Sequence, residues 1–236
     1  MIVLDRKKIL MIVIGIFCFS AIMCTNIKQV EESILTSSTP VTEKVVVLDA
    51  GHGKPDEGAQ GVEGVTEEKT NLEIVLKLQK LLEESGATVI LTRSDENAIY
   101  DLDKTTLREM KVSDIKNRVK IGNESSADLF VSIHLNNFSD EKYYGWQTFY
   151  KGGDENSKKL ADAIQKNLNK TISNENKRVT HTLNDIYIMK HVEIPIALVE
   201  CGFLSNPEEA TNLQNNTYQL EIAWGIYDGI MDYFAY

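Results

Sequence analysis

Cysteine, proline and tryptophan are scarce in this 236-residue chain, and basic residues are in deficit. Of the three cysteines, Cys18 and Cys24 fall inside an apolar N-terminal run, which leaves Cys201 without an intramolecular partner once that run is set aside. No disulfide framework then staples the fold, and a packed core has to hold it. Four prolines and 14 glycines exclude a collagenous or proline-rich repeat, and no fixed-period self-similarity points to a solenoid. Lys and Arg number 25 against 35 Asp and Glu, a net charge of −10, and the one basic cluster is Arg6, Lys7 and Lys8. Counterion release from a duplex needs a clustered basic face, so no nucleic-acid partner is expected.

What is present divides the chain in three. Residues 1–24 place Arg6, Lys7 and Lys8 before an uncharged run from Ile9 to Cys24, the layout of an export signal. That run is shorter than the about 20 residues of a comfortable membrane span. An uncleaved anchor is the alternative, and the membrane is then met only through this segment. Cys24 raises a lipid-anchor reading, against which stands the bulky Met23 before it. Residues 25–43, with Glu, Ser, Thr and one Pro, are expected to form a solvated linker. Residues 44–236 are expected to form one domain, since 42% hydrophobic and 25% charged residues is a globular balance. Loss of residues 1–24 would leave the exported protein at a net charge of −12.

From Lys44 the hydrophobic period switches repeatedly between strand and helix. Apolar runs predict strands over Val45–Leu48, Ala87–Thr92, Leu129–His134, Trp146–Tyr150 and Ile196–Val199, and Ile186–Met189 reads as a short extended piece. Leu72, Val75, Leu78 and Leu82 recur at helical spacing and end at Gly86, a C-terminal cap. Ser113 is the expected N-cap of a second helix, after a polar loop from Arg93 to Lys111. Leu160, Ala161, Ile164, Leu168 and Ile172 mark a third, and two more follow, one opening at Asn206-Pro207 and one over Thr217–Phe234. The fold class expected is α/β: a single domain with a mixed, largely parallel β-sheet and helices on both faces.

In such sheets functional groups gather at the carboxyl ends of strands. Asp49 and His52 follow the first strand, His134 ends the third, and Glu200 follows the Ile196–Val199 run. Imidazole and carboxylate are the ligand types of a zinc ion that keeps one coordination position open. A single strand-end histidine is ordinarily structural; two from separate strands, with acids at the same edge, point to metal chemistry.

Four blocks then carry a family resemblance. The first is Val47-Leu48-Asp49-Ala50-Gly51-His52-Gly53 with Gly58-Ala59, Gly61, Gly64, Glu67 and Asn71-Leu72. Arg118 to Asn123 runs into the third, Ala127 to Asn136, and Val199-Glu200-Cys201-Gly202-Phe203-Leu204-Ser205-Asn206 is the fourth. In this order they resemble the zinc-dependent N-acetylmuramoyl-L-alanine amidases over nearly all of residues 44–236, and the short layout behind an export signal is most similar to the family's spore-cortex, germination-specific branch.

The resemblance implies one Zn2+ per chain, held by His52, Glu67 and His134, with Glu200 as catalytic acid/base. Counting back from Asn71-Leu72 selects Glu67, whereas alignment on Lys69 would select Glu68; the spacing to the following helix favours Glu67. It further implies cleavage of the bond between N-acetylmuramic acid and L-alanine in peptidoglycan, in the cell wall or a spore compartment. An accessory protein partner is a further expectation. The alternatives are an inactive zinc-bearing wall-binding scaffold, or another peptidoglycan hydrolase such as an endopeptidase or deacetylase. Ala50 and Lys54 depart from the family's usual Pro and Gly without removing a ligand.

Several neighbours carry open readings. Asp49 either orients a zinc-bound histidine from behind or solvates the glycine loop. Arg93 and Arg118 contact substrate carboxylates or, more ordinarily, form ion pairs. His181 is a candidate for the substrate groove, His191 is expected in a solvated connecting loop, and Cys201 as a small buried hydrophobe.

Overall fold

The computed structural model describes residues 38–61 and 64–235, together with Ile16 and Ser20. The expected export segment 1–24 and most of the expected linker 25–43 lie outside the described residues. Among those described, Val41 is fully buried in the core, and Glu43 N donates to Gly86 O at 3.1 Å. The packed unit therefore takes up the chain at Pro40, ahead of the Lys44 expected.

Within that unit the elements follow in the order β1 (Val45–Ala50), α1 (Glu67–Glu84), β2 (Thr88–Leu91), α2 (Leu107–Glu124), β3 (Leu129–Asn136) and β4 (Gln147–Tyr150). They continue with α3 (Glu155–Thr171), β5 (His181–Thr182), α4 (Tyr187–His191), β6 (Ile196–Phe203), α5 (Pro207–Leu213) and α6 (Asn216–Ala235). One six-stranded sheet runs in the order β2-β1-β3-β6-β4-β5. Its first four strands are mutually parallel, while β4 lies antiparallel to β6 and carries β5 at the edge. The carboxyl ends of β1, β3 and β6 consequently share one edge with the amino end of β4.

Alternation along the strands feeds two cores. Val46, Leu48, Val131, Ile133, Ala197 and Val199 pack under α1, α3 and α6, against Ile74, Leu78, Leu160, Ile164, Ile222 and Ile226. Val47, Phe130, Ile196 and Leu198 face the other way, against Val119 of α2 and Ile188 and Met189 of α4. Helices thus cover both faces, as the continuous apolar runs of β1, β3 and β6 require.

The elements differ from expectation in several places: β3 and β6 run on past His134 and Glu200, to Asn136 and Phe203, and β5 is a short edge strand that the apolar runs do not predict. Ile186–Met189 is not extended: Tyr187–His191 forms a helix whose Ile188 and Met189 enter the second core. Five residues are too few to display a helical period. Helix α2 starts at Leu107 and not after Ser113, because Thr106 accepts from Glu109 N while the Glu109 carboxylate returns to the Thr106 N–H, a reciprocal cap. Ser113 lies inside the helix and donates instead to Asp101 Oδ2 at 2.8 Å.

Helix α6 closes on α3 through Gly225 and Gly229. A Cβ at Gly229 would lie 2.5 Å from Ile164 Cα and 2.8 Å from its nitrogen, backbone atoms that cannot swing aside. Gly229→Ala should destabilise the domain by about 1–3 kcal/mol through overpacking, in spite of alanine's higher helix propensity. The urea midpoint measures it, and an unchanged or raised midpoint would contradict this packing.

Candidate metal centre

The β1–α1 connection is a glycine-rich loop whose end is bound down by two buried arginines. Arg118 of α2 is 1% exposed; it donates to Asp49 Oδ1 at 2.6 Å, to Ala50 O at 2.6 Å and to the carbonyl of His52. Arg93 donates to Ala50 O at 2.9 Å, Gly51 O at 3.1 Å and Glu68 O at 2.7 Å. Asp49 also accepts from Thr92 Oγ1 and Ser132 Oγ, at 2.7 and 2.6 Å. Burial opposes its ionisation, but Arg118 and the two hydroxyls hold its carboxyl below the usual range. Neither reading of Asp49 therefore describes it: it neither contacts a histidine nor solvates the loop. The arginines likewise spend their donors on protein carbonyls and carboxylates, not on an open groove.

With the carbonyls of residues 50–52 held in this way, His52 stands at φ 62°, the left-handed region uncommon for a residue with a Cβ. Its Nε2 lies 3.2 Å from Glu67 Oε1, and His134 Nδ1 from β3 lies 3.0 Å from the same oxygen. Glu67 is the first residue of α1, where the helix dipole favours a carboxylate. Leu135 N donates to Oε1 at 3.1 Å and Ala59 N to Oε2 at 2.9 Å. One ligand atom from each of His52, Glu67 and His134 falls within 4.8 Å of the others, so that these three could hold a metal ion. Glu68 is not part of this group; its Oε1 accepts from Thr66 Oγ1 at 3.3 Å.

Glycines make room for this convergence. A Cβ on Gly51 would lie 2.3 Å from Cε1 of the His134 ring, and one on Gly58, at φ +68°, would lie 2.6 Å from Glu67 Oε2 and 2.9 Å from the His52 ring. The two imidazoles meet edge to face with centroids 5.1 Å apart.

The electrostatics match the donor set. Burial would raise the Glu67 carboxyl, but the imidazoles of His134 and His52 hold it well below the usual carboxylate range. Burial would lower His52, but Asp56 and Glu67 outweigh it and push the imidazole up to about 9. Charges that favour a proton on His52 favour a cation at the same point. Two nitrogen donors and one carboxylate are a ligand set for zinc with a position left open, so the residues fit such an ion.

Glu200 lies directly across from His134 in the β3–β6 pairing, and Gln147 lies across from Glu200 on β4. Its Oε2 is buried without a hydrogen-bond partner. Burial, opposed by His134 and reinforced by Glu67, pushes the Glu200 carboxyl up to about 7. A carboxyl that exchanges its proton near neutrality, beside a metal-ligand set, is suited to general acid/base work.

The remaining candidates take no part in the group. His181 is exposed on β5, and His191 ends helix α4, not a loop, with its ring 4.1 Å from that of Tyr187. Cys201 is buried in the first core and its thiol is pushed well up by that burial. Lys54 pairs with Glu96 at 2.7 Å. Sequence reasoning passed over Asp56, whose Oδ2 is 2.9 Å from His52 Nδ1, although a carboxylate four residues after a glycine-flanked histidine was there to be read.

A largely parallel α/β sheet that presents such a group at one edge is the layout of a metal-dependent hydrolase. The chain belongs to the N-acetylmuramoyl-L-alanine amidase family, whose model matches residues 46–232. It is 39% identical over 198 residues to the germination-specific N-acetylmuramoyl-L-alanine amidase of Bacillus subtilis, covering 84% of this chain and 83% of that one. Among solved structures it is similar to the CwlD amidase of Clostridioides difficile, determined in complex with the GerS lipoprotein. The identity is 45% and the TM-score 0.80, over 82% of this chain and 99% of that one. It is also similar to the catalytic domain of CwlV from Bacillus (Paenibacillus) polymyxa, at 31% identity and TM-score 0.70, over 81% of this chain and 98% of that one.

Gly51→Ala tests the packing of the group. The His134 ring, the end of a side chain, should give way at little cost to the fold and leave the triad open. Zinc retained after dialysis should fall below one equivalent while the melting temperature changes little; full retention would contradict the contact.

Proposed function

We propose that this protein hydrolyses the amide bond between N-acetylmuramic acid and L-alanine in peptidoglycan, with one zinc ion held by His52, Glu67 and His134 and with Glu200 as the catalytic acid/base. The observation that carries this reading is the Glu200 carboxyl, unpartnered at Oε2 and set across from His134 on the neighbouring strand.

Zinc in such a site polarises a carbonyl and brings the pKa of a water to about 7. The chain's own residues supply the rest. Glu67, held by the Ala59 and Leu135 N–H groups, keeps its charge and its position between the imidazoles. Glu200 takes a proton from the attacking water and delivers it to the amide nitrogen, which must be protonated before it can leave as an amine. Burial raises this carboxyl above the usual range, which favours its accepting the proton it then passes on.

The biological setting follows from the relatives. A germination-specific relative supports a role in spore-cortex or cell-wall remodelling. Peptidoglycan lies outside the membrane, which supports reading residues 1–24 as an export signal or anchor, 25–43 as a linker and 44–236 as the catalytic domain. Among the described residues no helix is long and apolar enough to cross a membrane. The complex formed by the Clostridioides difficile amidase supports a lipoprotein as accessory partner here.

Two measurements test the reading. Glu200→Gln should lower turnover by about 10²- to 10⁴-fold while zinc stays at one equivalent; retained turnover would remove Glu200 from the mechanism. Peptidoglycan digested by the purified protein should gain L-alanine amino termini and no new reducing ends, and a chelator should abolish the gain. New termini of another residue would make the protein an endopeptidase, newly freed glucosamine amines would make it a deacetylase, and no release with zinc bound would make it a scaffold.

A further inference from the structure

The histidines of the triad are held by different means. His134 belongs to strand β3, with its ring over Gly51 and its Nδ1 facing Glu67 Oε1 at 3.0 Å. His52 is on a loop at a positive φ; the two side chains are open to solvent to a similar degree, 25% and 22%. An imidazole free to turn, or to move its proton from one nitrogen to the other, is a poor ligand until its second nitrogen is engaged.

That engagement comes from Asp56. Its Oδ2 is 2.9 Å from His52 Nδ1, and its Oδ1 accepts from Lys111 Nζ at 2.8 Å and from Gly58 N at 3.2 Å. The carboxylate is itself anchored through the backbone. Asp56 N donates to Gly53 O at 2.9 Å and Gly53 N donates to Asp56 O at 3.0 Å, closing a small ring around the turn. Lys54 N donates to Glu96 O at 2.7 Å and Lys54 O accepts from Ala98 N at 3.0 Å, which ties the turn to the segment before α2. Lys111, on the second turn of α2, then grips the same carboxylate from the outside.

We propose that Asp56, steadied by Lys111, is the positioning residue that keeps the proton of His52 on Nδ1 and presents Nε2 toward the ion. This rests on the metal reading of His52, Glu67 and His134. A carboxylate accepting from Nδ1–H leaves the Nε2 lone pair facing Glu67, 3.2 Å away, and stops the ring from rotating about its side-chain bonds. Asp56 is bonded to His52, so its loss acts directly on that ligand.

The test is zinc affinity of the full chain, read by competition with a chromophoric chelator, with the absorption spectrum of the cobalt-substituted protein and the melting temperature in excess chelator measured alongside. Asp56→Ala and the isosteric Asp56→Asn should each weaken zinc binding by about 10- to 100-fold, shift the cobalt bands, and leave the melting temperature in chelator near that of the unmodified chain. Lys111→Met should act in the same direction and less strongly. In a His52→Ala background, Asp56→Asn should cause no further loss, because the interaction it removes is already gone. Unchanged zinc affinity in Asp56→Asn, or an equal extra loss on top of His52→Ala, would overturn the positioning role while leaving the metal site standing. An unmodified chain that takes up no zinc would instead overturn the metal reading itself.

Discussion

The Glu67 carboxylate is the point on which the site turns. It is 4% exposed, belongs to the first turn of α1, and meets an imidazole from the β1–α1 loop and another from the end of β3. Burying a charge is costly unless its oxygens are satisfied. Here they accept from Ala59 N and Leu135 N as well as facing the two rings, so loop, helix and strand are locked to one another through a single side chain. The same arrangement concentrates negative charge where two nitrogen ligands converge, which is the physical requirement for holding a divalent cation.

Behind this group stands a second layer of buried charge. Asp49, Arg118 and Asp114 form an ion network in which Arg118 also takes up the carbonyls of Ala50 and His52. Such networks contribute little net stability, since desolvation offsets much of the attraction, but breaking one partner is expensive. The effect is to fix the backbone at the carboxyl end of β1. Glu200 differs: its Oε2 is buried without a hydrogen-bond partner, a local cost of the kind found at sites shaped for something other than stability.

Much of this was legible in the chain. Strands β1, β3 and β6 announce themselves as β-branched apolar runs, and Asn206-Pro207 and Gly86 mark helix ends for plain conformational reasons. His52, His134 and Glu200 could be picked out at the ends of apolar runs, although His134 and Glu200 lie within the longer β3 and β6, and the spacing to Asn71-Leu72 favoured Glu67 over Glu68. What stayed hidden was of two kinds. Helix α4 is too short to have a period, and the early start of α2 was masked by Leu107 and Val112, which are exposed at 49% and 46% and break the amphipathic pattern. The partnerships of Asp49 with Arg118, 69 residues apart, and of Asp56 with His52 are matters of side-chain geometry that strand and helix periodicity does not encode.

Diffraction from crystals grown with zinc, collected on both sides of the zinc absorption edge, would test the metal centre most directly. The account predicts one strong anomalous peak per chain at about 2.0–2.2 Å from His52 Nε2, His134 Nδ1 and a carboxylate oxygen of Glu67. A peak bound instead through Glu68, or no peak between the two imidazoles, would contradict it.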